Sequence, residues 1–223
     1  MSLAMFSSGF HIQPDVLANQ ECDALLSRLS RNAGHRAGIR NLMSSRPVMN
    51  IAHDLRLVKI ANNMSGQEMV PFKATLFNKT SKANWLVAWH QDTTLPIEKF
   101  ILVPGWSAPS FKGGRLFAQA PTEALEKVVA LRIHLDASTR ENGPLRVIPK
   151  SHSSGVLREA GIKEFVEHVE PVDCLVGCGG VIAMSPLILH ASSKILSDHP
   201  RRVLHIEYAP AMEIMDGVRL HLA

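Results

Sequence analysis

Cysteine, aromatic residues and long apolar runs are all scarce in this 223-residue chain, and each scarcity removes a class of protein. Three cysteines, Cys22, Cys174 and Cys178, are too few and odd in number for a disulfide framework, which argues against a secreted scaffold. The spacing of Cys174 and Cys178 could suggest zinc, but no second pair of ligands follows before His190. A turn around Gly177, Gly179 and Gly180 is the simpler reading. Phe, Trp and Tyr supply only 5% of residues, and the basic residues are scattered rather than striped, so a net charge of +4 does not describe a nucleic-acid surface. That basicity favours an anionic substrate or has no meaning. No apolar run reaches the ~18 residues of a membrane helix, and Met1 to Phe6 has neither a basic start nor a long apolar stretch. The expectation is a cytoplasmic protein without a membrane partner.

What is present is the composition of a globular domain, 46% hydrophobic and 20% charged, long enough to bury a substantial core as one domain over residues 1–223. From Pro14 to Arg31 the residues Val16, Leu17, Cys22, Leu25, Leu26 and Leu29 form a helical stripe, and Asn50 to Met64 predicts a second helix. Residues 1–66 are therefore a mostly helical flank. Strand-like stretches follow at 70–77, 84–91, 128–135, 145–148, 169–174, 181–189 and 203–208. Their number and order suit a mainly β jelly roll, the cupin-like double-stranded β-helix, with a core over 67–209 and the N-terminal helices packed outside. Residues 93–127, rich in proline and glycine, are too long for an idle connection and read as a lid-like insertion.

Chemistry enters with His90, Gln91 and Asp92. On a strand, side chains alternate, so His90 and Asp92 project to one side and Gln91 to the other. Roughly one hundred residues later His190 ends another apolar run, and an antiparallel barrel can bring such distant strands together at one rim. Two histidines and a carboxylate on one face of an octahedron are the ligand set of non-haem Fe(II) oxygenases, with three positions left open. A lone H-x-D occurs by chance in many proteins, and most of the eleven histidines, His11, His53, His168 and His221 among them, read as ordinary residues. The rest of the pattern decides.

In Thr75 to Lys79, Trp89 to Asp92, Leu131 to Asp136, Glu141 to His152 and His190 to Arg202, the chain resembles the phytanoyl-CoA dioxygenase family of Fe(II)- and 2-oxoglutarate-dependent oxygenases, in both order and spacing. The resemblance implies that His90, Asp92 and His190 hold Fe(II). It also implies that Arg201, eleven residues beyond His190, anchors the distal carboxylate of 2-oxoglutarate, with O2 as the other co-substrate. A guanidinium suits that task because it offers a planar fork and stays charged. Arg202 is adjacent, and alternation leaves two faces, Arg201, Val203, His205 and Glu207 against Arg202, Leu204, Ile206 and Tyr208. Simple hydrophobic patterning places the second set inside, and family spacing the first. Related oxygenases often carry serine or threonine two residues after the arginine; here Val203 stands there, so the carboxylate must be satisfied differently.

The resemblance further implies Lys79 near the co-substrate and a basic residue such as Arg40 near the substrate. Trp106, Phe111 and Lys112 in the insertion are candidates to touch a small-molecule substrate, while the competing reading makes Trp106 and Phe111 staples of the loop. His134 and His205 read as interior histidines. The reaction implied is hydroxylation with release of succinate and CO2, and Asp92 speaks against halogenation. A cupin-like metal-dependent isomerase or hydrolase, or a non-catalytic binder, would use the same ligands.

Overall fold

The computed structural model describes residues 7–33, 37–100 and 102–223. Met1 to Phe6, read above for a leader, lie outside them. In chain order the elements are β1 (Phe10–Gln13), α1 (Asn19–Ala33), β2 (Gly38–Ile39), α2 (Arg46–Ala52), α3 (Leu55–Ser65), β3 (Val70–Lys79), β4 (Val87–His90) and β5 (Thr94–Pro96). There follow β6 (Ser107–Lys112), β7 (Arg115–Gln119), α4 (Thr122–Leu125), β8 (Val129–His134), β9 (Leu145–Val147), α5 (Glu159–His168) and β10 (Val172–Cys174). The chain closes with β11 (Val181–Met184), β12 (His190–Ser192), β13 (Arg201–Ala209), β14 (Glu213–Met215) and β15 (Val218–Arg219).

Two antiparallel sheets make the jelly roll expected from the strand pattern. The larger has the order β1-β11-β8-β13-β3-β2 and the smaller β10-β9-β12-β4. Ala130, Leu145, Val147, Ile182, Met184 and Ile188 fill the space between them. The outer face of the large sheet is covered by the helical flank. Leu204, Ile206 and Tyr208 of β13 pack there with Leu25, Leu29, Leu57 and Ala61, each large apolar side chain contributing roughly 1.5–3 kcal/mol by burial. The Tyr208 hydroxyl donates to the Ala52 carbonyl at 2.8 Å and pins the sheet to α2.

The differences from the expected elements have local causes. The first helix begins at Asn19 rather than Pro14, because Asp15 takes a left-handed φ of 53° and the Glu21 carboxylate accepts the Ala18 N–H at 2.8 Å. The second helix is two, because Asp54 leaves helical geometry and caps α3 by accepting the Arg56 N–H at 2.9 Å. The expected strand 84–91 shortens to β4. The stretch 181–189 ends at Met184, where Ser185 and Pro186 turn the chain out of the large sheet, and His190 opens β12 in the small one. The amphipathic α5 before β10, and β14 and β15 after the core, were not expected from periodicity.

The insertion at 93–127 is structured. β5, β7 and β6 form a three-stranded sheet, and Leu95, Ile97, Ala118 and Leu125 share a second core with Ile214, Val218 and Leu220 from the chain's end. Trp106 belongs to that core at 6% exposure, which corrects its assignment as a substrate contact: it is the staple. Trp106→Ala is expected to destabilise the fold by about 3–5 kcal/mol, read by urea unfolding. Phe111 is 79% exposed and staples nothing.

Candidate active site

His90 ends β4 and His190 opens β12, and the antiparallel register sets them directly opposite each other, with a bulge between His190 and Ser192. Their ring centroids are 4.2 Å apart. Asp92 follows two residues on, its N–H donating to the Pro186 carbonyl at 2.9 Å, and its oxygens lie 3.9 Å from His90 Nε2 and 3.5 Å from His190 Nε2. Gln91 turns the other way and is bound by three backbone groups: its Nε2 donates to Gly155 and Leu187 carbonyls, and its Oε1 accepts the Leu157 N–H. The alternation read from the sequence is thus present in the fold.

Each histidine has its tautomer set by the backbone. His90 Nδ1 lies 2.8 Å from the Ala88 carbonyl and His190 Nδ1 2.9 Å from that of Ile188. A carbonyl only accepts, so both Nδ1 atoms carry a proton and both Nε2 atoms face Asp92. That is the arrangement a metal needs. One donor atom from each of His90, Asp92 and His190 lies within 4.8 Å of the other two, the only such group of three among the described residues. Burial pushes His190 down to about 4 against the pull of Asp92, keeping its imidazole neutral. Burial opposes ionisation of Asp92, yet His190, His205, Lys73 and His90 outweigh it and hold the carboxyl below its usual range. His190 and Asp92 are therefore in the protonation states that a divalent cation needs.

Behind the triad lies a cavity of about 80 Å³ lined by Phe77, Trp85, His90, Asp92, Arg132, His190, Ser192 and Arg201. Arg201 is buried. Its Nε reaches the Asn142 carbonyl only at 3.4 Å, and its Nη1 has no partner. Burial and then the charge of Arg132 push its pKa down to about 9. Arg202 points to the opposite face and is committed to Asp136, with two contacts of 2.6 Å. Lys79 stands opposite Arg201 in the β13–β3 pairing, fully buried, and its Nζ donates to Ser192 Oγ at 2.8 Å and the Ser193 carbonyl at 2.7 Å. It lines the wall behind Ser192.

A second cavity of about 230 Å³ shares His90 and Asp92 with the first and is lined by Arg40, Lys73, Thr75, Phe77, Lys112, Phe117, His205 and Glu207 among others. Arg40, just after β2, and Lys112, at the end of β6, meet at this cavity from far apart in sequence, and Lys112 Nζ contacts Thr94 Oγ1 at 3.3 Å. On its floor Glu207 accepts from Lys73 at 2.6 Å and pairs with His205 at 3.1 Å. Arg132 and Lys73 escaped the sequence reading. Their signal was a lone cation within an apolar stretch of strand, Lys73 in β3 and Arg132 in β8. His205 is satisfied as an interior histidine; neither nitrogen of the buried His134 has a hydrogen-bond partner.

A jelly roll with a His-Asp-His cluster at its rim and a cationic cavity behind it defines the class of non-haem iron oxygenases. The family profile of phytanoyl-CoA dioxygenase (PhyH) matches residues 33–203, and the chain belongs to that family of Fe(II)- and 2-oxoglutarate-dependent oxygenases. No curated protein matches the chain in sequence. Among solved structures, AviO1 from Streptomyces viridochromogenes Tue57 is 22% identical with a TM-score of 0.68, over 93% of this chain and 92% of that one. EctD from S. alaskensis with bound Fe is 20% identical with a TM-score of 0.72, over 99% and 78%. The epimerase SnoN, in complex with Fe3+, alpha ketoglutarate and nogalamycin RO, is 16% identical with a TM-score of 0.69, over 94% and 82%. All share the fold. No helix among the described residues is long and apolar enough to cross a membrane.

Proposed function

We propose that the chain works as one oxygenase domain that hydroxylates a small organic substrate bearing an anionic group. The observation that carries this reading is one cavity faced both by the His90, Asp92 and His190 donors and by the guanidinium of buried Arg201, whose Nη1 has no partner. His90 and His190 would hold Fe(II) through Nε2 and Asp92 through its carboxylate, with the backbone carbonyls of Ala88 and Ile188 keeping both rings in place. Arg201 would take the distal carboxylate of 2-oxoglutarate with its free N–H donors. Bound there, the metal and 2-oxoglutarate supply with O2 the oxidising power to hydroxylate a C–H bond, releasing succinate and CO2. The protein binds, orients and excludes water. Arg40 and Lys112 would meet the substrate's anion in the 230 Å³ cavity, and Phe77 and Phe117 its apolar part.

Anaerobic addition of Fe(II) and then 2-oxoglutarate is expected to produce the weak visible charge-transfer band of a chelated 2-oxo acid. Iron binding without the band would favour a metal-dependent isomerase or hydrolase instead. Because SnoN is an epimerase by name, a substrate screen read by succinate release should score epimerised as well as hydroxylated products.

Lys79 gives this reading a pH dependence. Burial, then Arg201 and Arg132, push its pKa down to about 7 from an ordinary 10.5. Between those values the unfolded chain holds a proton that the folded one has lost, so the destabilisation from charging Lys79 is full below about 7 and is relieved as pH rises. A bound anion has the opposite preference. Affinity for 2-oxoglutarate should therefore fall as pH rises through about 7, and Lys79→Met should flatten that dependence; an unchanged profile in the variant removes Lys79 from the site.

A further inference from the structure

Arg132 lines the candidate site without a role in the reading above. It projects from β8 between the apolar neighbours Leu131 and Ile133 and is buried at 6% exposure, lining the same cavity as the metal donors and Arg201. Its Nε has no hydrogen-bond partner. Its Nη1 reaches His205 Nδ1 only at a long 3.4 Å, and its guanidinium carbon stands 5.1 Å from the Phe77 ring centroid. The carboxylate nearest by register, Glu207, is already taken by Lys73 and His205. Asp92, the only carboxylate lining the cavity, faces the histidines. Two buried guanidiniums with open donors thus share one cavity without a matching anion. An unpaired buried charge is among the costliest arrangements in a protein, and a guanidinium is the group that grips carboxylates bidentately. The hydroxyl in the lining, Ser192, is engaged by Lys79 Nζ at 2.8 Å.

We propose that Arg132 is a second anchor for 2-oxoglutarate, donating to one of its carboxylates alongside Arg201. This rests on the oxygenase reading above. The two guanidiniums, Arg132 from β8 and Arg201 from β13, close the cavity with positive charge, and the anion completes a site that the protein alone leaves unbalanced. Arg132 then acts on affinity and selectivity for the 2-oxo acid.

The test is calorimetric titration of the Mn(II)-loaded protein with 2-oxoglutarate and with pyruvate, which has the same oxo-acid head but no distal carboxylate. Parent, Arg132→Met and Arg132→Lys are compared, and the melting temperature of each is recorded without ligand. Loss of charge-assisted hydrogen bonds should weaken 2-oxoglutarate binding about 10- to 100-fold in Arg132→Met, with partial recovery in Arg132→Lys. The ligand-free melting temperature should hold or rise, because an unpaired buried cation has been removed. Equal losses for pyruvate place Arg132 on the metal-side carboxylate, and losses confined to 2-oxoglutarate on the distal one; both uphold the proposal. Affinity within about twofold of the parent overturns it, as does a fall in ligand-free melting temperature with unchanged affinity, which would make Arg132 structural. Should Arg132→Met not fold, the lysine variant decides by the same measurements. If the parent itself takes up no 2-oxoglutarate, the oxygenase reading fails and this proposal with it, whereas binding by parent and variants alike fells the proposal alone.

Discussion

Asp92→Ala is expected to abolish iron binding and turnover together. The cluster has two imidazoles and a single carboxylate, so the substitution removes one of three ligands and the only acidic one. Changes to groups that merely support a metal ligand cost about 10- to 100-fold in affinity, and loss of a ligand itself should exceed that. The environment sharpens the expectation. Asp92 is ionised against the penalty of burial, and in its absence the nearby Lys73 ammonium would face a bound cation with no carboxylate between them. Metal content after dialysis against Fe(II), with His168→Ala as a surface control, is the measurement. Retained iron and succinate release in Asp92→Ala would sink the metal assignment.

Arg201→Met should raise the 2-oxoglutarate concentration needed for half-maximal turnover by about 100-fold or more, since two charge-assisted hydrogen bonds would go with the guanidinium. Arg202→Met should leave that requirement alone. It breaks the pair with Asp136, whose side chains are 28% and 18% exposed, and should cost about 1 kcal/mol of stability. The contrast between adjacent residues is the strength of the test, because composition and general electrostatics are identical in the two variants. If Arg202→Met were the one to raise the requirement, the anchor would lie on the helix-covered face of β13 and the cavity behind the metal would need another occupant.

How much of this was legible beforehand can be judged from single strands. The H-x-D pair could be read because its geometry is local: a strand places i and i+2 together whatever surrounds it. The jelly roll could be read because many short strands in sequence have few ways to pack. Trp106 could not be placed, since an aromatic residue in a long proline-rich segment serves equally as a ligand contact or a staple, and its neighbours Ile214, Val218 and Leu220 lie a hundred residues away. α5 went unseen because its amphipathic stripe leaves none of its residues fully buried. The break at Ser185 and Pro186 was missed because Leu187, Ile188 and Leu189 continue the apolar run, although the chain has crossed from one sheet to the other.

The residues that would hold the metal were thus legible in the sequence, His90 and Asp92 as a pair through strand periodicity, and the full set with Arg201 through the resemblance to the oxygenase family. Which face of β13 meets the cavity was decided only by the tertiary structure. Alternation there gave an apolar and a polar set, and patterning alone assigned the apolar set to the interior. The strand has two interiors: Leu204, Ile206 and Tyr208 are buried against helices on one side, while Arg201, His205 and Glu207 line the barrel on the other. A buried polar face is stable only where distant groups satisfy it, as Lys73 does for Glu207. Those partners come from strands that periodicity cannot pair, which is why Arg132, facing the same cavity from β8, emerged only once the sheet was assembled.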